Sequence, residues 1–221
     1  MDSVILALDT SSEMLGLALH DGWRLLCESS WPVHSRQTAE LAPAVNDLID
    51  RAGIRVRDLK AVAVTLGPGS FTALRIGISF AKGLALAGPV GVIGVPTLEV
   101  LVRAQIPGEE TLVAVLETGR RKVAAASYDW VEKRWKERRS PQIYTWPDLV
   151  KALPRHSHVC GEIGEEGRVL LERRRDLRVA LGAWSLRRAG HLAELAWEKL
   201  RAGETTPASS LVPLYLQTAG S

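Results

Sequence analysis

Residues 62–77 read VAVTLGPGSFTALRIG and contain the clearest local pattern in the chain. The apolar start has the length of a buried strand, and the Gly-Pro-Gly that follows predicts a turn. Ser70 stands at a helix N-cap position, so a helix is predicted from there to about Ala87. Small residues recur at every fourth position on one face of this helix: Ala73, Gly77, Ala81 and Ala85. Because small side chains allow close approach, the helix is predicted to pack tightly against another element.

The segments before this stretch predict three strands and a helix. The predicted strands cover residues 4–8, 15–19 and 23–29. Asp21-Gly22 predicts a hairpin between the last two of them. The helix is predicted over residues 35–52, and Gly53 is its predicted C-terminal stop. Pro43 lies inside that helical pattern, so it either kinks the helix or marks its true start.

The second half of the chain repeats this plan of three strands, helix, strand, helix and strand. Its strands are predicted at residues 112–116, 122–128, 131–138, 158–160 and 177–181, with helices at 147–153, 165–173 and 184–201. The predicted fold class is therefore α/β with duplicated halves, in which crossover helices cover parallel strands. Ile106-Pro107-Gly108 is the predicted boundary. It separates an N-terminal domain of residues 1–106 from a smaller, more divergent domain of residues 107–221.

Composition excludes several classes of protein. The net charge of +3 is too small to require a polyanion partner, and 46% hydrophobic residues are ordinary for a globular domain. The longest apolar run, residues 84–95, is interrupted by glycine and proline, so no membrane span is expected. No secretory signal is recognised, and Cys27 and Cys160 have neither metal nor redox spacing. We therefore expect a cytoplasmic protein with buried free thiols.

Positive charge is concentrated in two stretches of the second half. The first contains Lys133, Arg134, Lys136, Arg138 and Arg139, and the second contains Arg173, Arg174, Arg175 and Arg178. Each stretch is either a solvated surface or a contact for nucleic acid.

Several motifs together resemble the TsaB (YeaZ) family of tRNA threonylcarbamoyladenosine biosynthesis proteins. They are Ile5-Leu6-Ala7-Leu8-Asp9-Thr10-Ser11, His34, Gly67-Pro68-Gly69-Ser70-Phe71-Thr72 with Arg75-Ile76-Gly77-Ile78, Ile93-Gly94-Val95-Pro96-Thr97-Leu98, and Pro213-Leu214-Tyr215-Leu216. The resemblance covers the first hundred residues closely, and its most specific part is GPGSFT-x-x-RIG. The chain departs from the family pattern in three places. Ala73 replaces a usual Gly, Gln217 a usual Arg, and Glu117-Thr118-Gly119-Arg120 a common Asp-Ala-Arg.

The resemblance implies an ASKHA-type fold, the architecture of actin, Hsp70 and sugar kinases. It implies a non-catalytic scaffold or activating subunit that pairs with the paralogous transferase TsaD and with the ATPase TsaE, and that forms a homodimer when alone. The complex would place a threonylcarbamoyl group on the N6 atom of adenosine 37 in tRNA, and whether this chain touches tRNA stays open. The chain itself requires no cofactor, and ATP or ADP at a subunit interface is the alternative.

A partner interface is predicted on the outer faces of the helices at residues 35–52 and 70–87. The stripe of small residues motivates this prediction, and the alternative is that the stripe packs against this chain's own sheet or helix. The predicted interface residues are His34, Thr38, Leu41, Val45, Ser70, Ala73, Leu74, Gly77, Ile78 and Ala81. For His34 a local capping or hydrogen-bonding role is the alternative.

A nucleotide or anion site is the second prediction, since a Gly-rich turn precedes a helix N-terminus and Asp9 ends the first strand. Its candidate residues are Asp9, Thr10, Gly67, Gly69, Ser70 and Arg75. The Asp9-Thr10-Ser11 turn lacks the glycine of a kinase phosphate loop, and no Lys-Ser or Lys-Thr pair follows the Gly-Pro-Gly turn. A tight structural turn is the alternative at both places.

No catalytic residue and no metal ligand is assigned. The family's catalytic paralogue carries a His-x-x-x-His metal pair where this chain has Thr97 and Leu101, and leucine cannot bind a metal. His156 and His158 are interpreted as surface residues. The alternative function is a stand-alone enzyme, either an ASKHA-type ATP-dependent phosphotransferase or a glycopeptidase-like enzyme.

Overall fold

The chain divides into two units, one formed by the residues up to Val100 together with Arg188–Leu214, and the other by Leu101–Arg187. The structure is a computed structural model that describes residues 4–34, 36–119, 121–214 and 216. Four residues that entered the predictions lie outside the described residues: Ser35 at the predicted helix start, Arg120 of the predicted turn, and Tyr215 and Gln217 at the C-terminal motif.

Ten strands and six helices lie within the described residues. The strands are β1 (Val4–Asp9), β2 (Met14–His20), β3 (Leu25–Pro32), β4 (Leu59–Gly67), β5 (Gly91–Pro96), β6 (Leu112–Gly119), β7 (Lys122–Val131), β8 (Arg134–Thr145), β9 (His158–Gly161) and β10 (Arg178–Val179). The helices are α1 (Gln37–Arg51), α2 (Phe71–Ala87), α3 (Thr97–Arg103), α4 (Trp146–Ala152), α5 (Glu165–Glu172) and α6 (Ala189–Arg201). None of the helices in this part of the chain combines the length and the apolar character that crossing a membrane requires.

The two units share one order of elements and one pattern of strand pairing. The sheet order is β3-β2-β1-β4-β5 in the first unit and β8-β7-β6-β9-β10 in the second. The first three strands of each sheet pair antiparallel, and the last two run parallel to the first strand. The predicted duplicated α/β fold is therefore confirmed.

The central strands of the first unit are buried on both faces, which explains their unbroken apolar sequence. Val4, Leu6 and Leu8 of β1 share a core with α1 and α2. The intervening Ile5 and Ala7 share a second core with α6. All five side chains are fully buried, so β1 lies at the centre of a three-layer arrangement.

The second unit packs one face of its sheet against α4 and α5. Val113 and Val115 of β6 share a core with Trp146 of α4 and Leu171 of α5. A Cβ atom at Gly167 of α5 would lie only 2.4 Å from the Trp146 ring. Glycine at that position therefore lets the indole fill the space beneath the helix.

The predicted domain boundary at residue 106 differs from the observed division. Helix α6 packs its Leu192, Ala193 and Ala196 into the first unit's second core, so that unit is built from both ends of the chain. The helix also begins later than its predicted start at Trp184. That residue belongs to a 3₁₀ turn, Gly182–Trp184, and the extended backbone of Arg188 separates this turn from α6.

The structure decides between the two interpretations of Pro43 and corrects the start of one strand. Pro43 does not mark the start of α1, because the N–H groups of Ala39 and Glu40 already bond to the Arg36 carbonyl. The third strand of the second half begins at Arg134 rather than three residues earlier. Glu132 and Lys133 form the turn there, with φ angles of 54° and 61°. Neither residue is a strong turn former, so the sequence carried little signal for this turn.

Candidate functional site

Asp9 ends β1, and its carboxylate is hydrogen-bonded within the protein. Its Oδ1 accepts from the Ser11 N–H at 3.0 Å, from the Ser11 hydroxyl at 2.5 Å and from the Thr65 hydroxyl at 3.1 Å. Asp9 is 2% exposed, and both donor residues are fully buried. The carboxylate thus ties the turn after β1 to the neighbouring strand β4, which supports a structural role for this turn.

The Gly-Pro-Gly turn packs directly on the Asp9 turn. The Ser70 N–H donates to the Ser11 carbonyl at 2.7 Å, and the Gly67 N–H donates to Thr97 Oγ1 at 3.1 Å. A Cβ atom at Gly69 would lie 2.3 Å from the Ser11 carbonyl oxygen, so a larger residue does not fit without movement. Ser70 is the N-cap residue of α2 as predicted, although its side chain makes no capping hydrogen bond.

The small residues of α2 face inward toward the Asp9 turn. Ala73, Gly77 and Ala81 are buried, and a Cβ atom at Gly77 would lie 2.4 Å from Thr10 Oγ1. Thr10 is fully buried, and its hydroxyl has no hydrogen-bond partner among the described residues. The prediction that the small stripe lies on an outer face is therefore wrong, and packing within the chain is correct.

Burial divides the predicted interface residues into two groups. The buried group comprises Leu41, Val45, Ala73, Leu74, Gly77, Ile78 and Ala81, which belong to the interior of the first unit. His34, Thr38 and Ser70 are exposed, and their role in binding a partner stays a prediction. For α2 the error has a physical cause, since so few of its residues are polar that the pattern gives only a weak sign of which face meets the sheet.

The exposed face of α1 and α2 forms a groove of about 510 Å³. It is lined by Thr38, Leu41, Ala42, Thr72, Arg75, Ile76, Ser79 and Phe80. Phe71 is 52% exposed beside this groove, and the Arg75 guanidinium carbon lies 5.1 Å from its ring centroid. Sequence reasoning missed Ala42, Thr72, Ile76, Ser79 and Phe80, although Arg75 and Ser79 already marked the polar side of the helix.

The residues predicted for an anion differ in their accessibility. Asp9 and Thr10 are buried, whereas Ser70 and Arg75 are exposed. The N–H groups of Ser11 and Ser70, which could otherwise meet a phosphate, donate within the protein. Nucleotide or anion binding at these residues stays a prediction.

Thr97 and Leu101 stand where the resemblance places the metal-binding histidines of the catalytic paralogue. Both side chains are fully buried, and Thr97 Oγ1 already accepts the Gly67 N–H. A hydroxyl that already accepts a hydrogen bond and an alkyl side chain without a donor atom do not form a metal-binding pair. Within residues 4–34, 36–119, 121–214 and 216, no group of three or more His, Cys, Asp or Glu side chains is placed to bind one.

Glu117 is a second strand-end carboxylate, and sequence reasoning gave it no role. It follows Leu116 near the end of β6, as Asp9 follows Leu8 in β1. Its Oε1 accepts from the Gly164 N–H at 2.8 Å and from the Trp146 indole at 3.2 Å. The repeated plan of the two halves was the signal that could have identified this residue.

The predicted His34 site, the two histidines interpreted as surface residues and the Cys160 thiol differ in their exposure. His34 is exposed with a φ of 43°, and His156 is exposed with a φ of 58°, which confirms the surface interpretation of His156. His158 is half-buried, and its Nδ1 lies 3.2 Å from Arg178 Nη2. Burial and the charge of that guanidinium lower the pKa of His158. Burial also disfavours the charged thiolate of the free Cys160, so it raises the pKa of that thiol and the thiol stays protonated.

Comparison with known proteins agrees with this architecture. The family model described as TsaD: tRNA N6-adenosine threonylcarbamoyltransferase matches residues 33–154. The tRNA threonylcarbamoyladenosine biosynthesis protein TsaB of Escherichia coli (strain K12) is 28% identical over 230 residues, which cover 96% of this chain and 94% of that protein. The structure of YeaZ from Pseudomonas aeruginosa superposes with a TM-score of 0.78 at 28% identity, covering 97% of this chain and 100% of that one.

A more distant structure shows the fold alone. The activator of the 2-hydroxyisocaproyl-CoA dehydratase from Clostridium difficile has a TM-score of 0.55 at 11% identity, covering 91% of this chain and 97% of that one. The duplicated sheets and these likenesses define an α/β protein of the ASKHA fold class. The chain belongs to the TsaD family, and within that family it is similar over nearly its whole length to TsaB and YeaZ.

Proposed function

We propose that this chain is a non-catalytic subunit of tRNA N6-threonylcarbamoyladenosine biosynthesis that scaffolds and activates a TsaD-family transferase. Similarity to TsaB over 96% of the chain supports a role in that biosynthesis. The observation that carries the non-catalytic role is the engagement of Asp9. Its carboxylate would face a phosphate in an ASKHA kinase, but here it accepts from Ser11 and Thr65.

The donor set at Thr97 and Leu101 supports the same proposal. Metal-assisted transfer needs ligands with lone pairs directed at the metal, and two imidazoles four residues apart on a helix provide them. Leu101 has no such atom, and Thr97 Oγ1 already accepts a hydrogen bond from the Gly67 N–H. The chemistry is therefore assigned to the TsaD-family partner.

The groove between α1 and α2, rather than the small stripe, is the proposed binding surface for that partner. Half-buried Ile76 and Phe80 and the exposed Phe71 form an apolar patch there, flanked by Arg75. Such a patch is typical of a protein interface. The same face would support a homodimer when the partner is absent, and TsaE would join the assembled complex. Any ATP or ADP would then bind at a subunit junction, where Ser70 and Arg75 are exposed.

Omission of this component from a reconstituted reaction tests the proposal. The cognate TsaD-family protein, TsaE and unmodified tRNA are combined with the precursor of the threonylcarbamoyl group, with and without this chain. We expect modification to fall to background without the chain. Full modification in its absence would contradict the proposal. Substantial ATP turnover by the chain alone that is lost in Asp9→Asn would instead support the phosphotransferase alternative.

A bulky substitution in the groove should block association without harming the fold. Ser79 is exposed on α2 and lines the groove, so Ser79→Trp adds volume where the partner would pack. A clash of ~1–3 kcal/mol would weaken association by roughly 5- to 150-fold. Isothermal titration with the TsaD-family partner measures the affinity, and urea unfolding should show an unchanged free energy.

The matched control for this substitution is Ala87→Trp. Ala87 is the exposed last residue of α2 and does not line the groove. We expect this variant to bind the partner as the parent does. Unaltered binding by Ser79→Trp, or equal weakening by both variants, would exclude the groove as the interface.

A further inference from the structure

We infer that an arginine-lined concavity in the second unit binds the phosphate backbone of an RNA. The concavity has a volume of about 560 Å³. It is lined by Arg155, Arg173, Arg174, Arg175 and Asp176. The inference rests on the proposed function in one respect: it takes the RNA to be the tRNA that the complex modifies.

The charge of this concavity stands out against the rest of the chain. Its four arginines and one aspartate give it a formal charge of +3. The whole chain has the same net charge, so by this count the remaining residues are neutral. The lining residues alone therefore carry as much net positive charge as the whole chain, which is typical of a surface that meets a polyanion.

Arg174 has a structural role within this cluster. Its Nε and Nη2 donate to the two carboxylate oxygens of Asp176, each at 2.8 Å, and its Nη1 donates to the Val150 carbonyl at 2.8 Å. The hydrogen bonds from Arg174 lower the pKa of Asp176 to about 2. Both side chains therefore stay ionised, and their opposite charges cancel. Arg174 thereby joins the loop after α5 to the last turn of α4.

The other three arginines lie outside this pair, although Arg155 also helps to lower the pKa of Asp176 through its charge. In the described part of the chain, the guanidinium groups of Arg155, Arg173 and Arg175 have no hydrogen-bond or ion-pair partner. Three like charges on one concavity repel one another, and an anion that enters it relieves this repulsion. The concavity therefore keeps a net positive charge that an anion can neutralise.

The first basic stretch of the sequence, around β8, is different. Lys136 Nζ lies 2.7 Å from a Glu132 carboxylate oxygen, and Arg138 Nη1 lies 3.4 Å from Asp129 Oδ2. Arg134 also lies within 3.8 Å of Glu132. These cations are largely paired on a solvated strand, so this stretch provides a matched comparison.

The chemistry of the lining selects the class of ligand. The concavity contains neither an aromatic ring for stacking nor an amide for reading a base edge, so it can recognise a backbone and not a sequence. The planar guanidinium group matches phosphate oxygens well. Arg155, Arg173 and Arg175 are exposed, so a single small anion would be held weakly against solvent and salt. A polyanion gains in addition from counterion release.

The salt dependence of tRNA binding tests the inference. The full-length chain and the assembled complex are titrated with unmodified tRNA at several salt concentrations. Arg155→Gln, Arg173→Gln and Arg175→Gln are combined in one variant. We expect the slope of log affinity against log salt to decrease in magnitude by about two to three, and the affinity near 0.1 M salt to fall roughly tenfold or more.

The control variant combines Arg134→Gln, Lys136→Gln and Arg138→Gln, which removes the same formal charge from β8. It should change the tRNA affinity by less than about twofold, since these cations are already paired. An unchanged slope in the concavity variant, or an equal loss in both variants, would overturn the inference. So would unchanged tRNA binding together with weakened assembly, since the cluster would then meet an acidic protein surface. Full displacement of tRNA by millimolar inorganic phosphate would show a small-anion site instead.

The omission assay separates this inference from the proposed function. If modification requires the chain but the slope is unchanged, the RNA surface alone is wrong. If modification proceeds without the chain while the slope still depends on the three arginines, the proposed function is wrong and the RNA surface stands.

Discussion

Gly77→Ala should destabilise the protein by about 1–3 kcal/mol, the usual cost of overpacking a core. Alanine is the better helix former by ~1 kcal/mol, so helix propensity alone predicts the opposite sign. The new Cβ atom, however, would lie 2.4 Å from Thr10 Oγ1 and 3.1 Å from its methyl group. Thr10 is fully buried and has little room to move away. Urea unfolding monitored by tryptophan fluorescence measures the change.

Two controls make the origin of this effect visible. Gly83→Ala lies on the same helix with nothing within 4 Å of the added atom, so it should stabilise the protein by ~0.5–1 kcal/mol. Thr10→Ala removes the two atoms that clash and also a hydroxyl without a hydrogen-bond partner. Combined with Gly77→Ala, it should restore more than half of the lost stability. A stable Gly77→Ala variant that fails to bind the partner would contradict the inward packing of the small stripe.

Asp9→Ala should destabilise the fold by about 3–5 kcal/mol. The substitution removes the acceptor of three described hydrogen bonds and leaves the buried Ser11 N–H, Ser11 hydroxyl and Thr65 hydroxyl to find other partners. Each buried donor left unpaired costs ~1–3 kcal/mol, and the total is large against a usual stability of ~5–15 kcal/mol. The free energy of unfolding, measured with and without Mg-ATP, gives the result.

Asp9→Asn is the matched control, because an amide oxygen still accepts the three hydrogen bonds. It should cost only ~1–2 kcal/mol, the difference between a charged and a neutral acceptor. A carboxylate that waits for a phosphate or a metal ion would give the reverse pattern. Stability would then be unchanged or higher in Asp9→Ala, and stabilisation by Mg-ATP would disappear. That outcome would contradict the structural role of Asp9.

The fold could be predicted from sequence because two strong signals agreed. The buried strands of both sheets contain unbroken apolar runs, and the order of strands and helices is repeated in the second half. Boundaries were missed where the signal was local and weak. Glu132 and Lys133 form a turn without glycine or asparagine, so β8 was predicted to begin three residues too early.

The candidate site was predicted less well. Sequence periodicity shows which residues share one face of a helix, but it does not show what that face packs against. The spacing of Ala73, Gly77 and Ala81 correctly placed them on one face of α2. The burial of these residues and the close approach of Thr10 to Gly77 show that this face meets the chain itself. The partners of the Asp9 carboxylate were also out of reach, since Thr65 is 56 positions away in the sequence. Contacts of this kind depend on the parallel pairing of β1 with β4.

The discontinuous first unit has a consequence for how the protein is made on the ribosome. The sheet face formed by Ile5, Ala7 and Ile93 is covered by α6, which is translated near the end of the message. At ~5–20 residues per second, the ribosome needs roughly 4–18 s to pass from Val100 to Arg188. During this interval the nascent chain exposes an apolar surface, and surfaces of this kind aggregate or bind chaperones. A chain terminated before α6 would therefore expose this apolar face and be prone to aggregation, and it would not fold as a smaller stable domain.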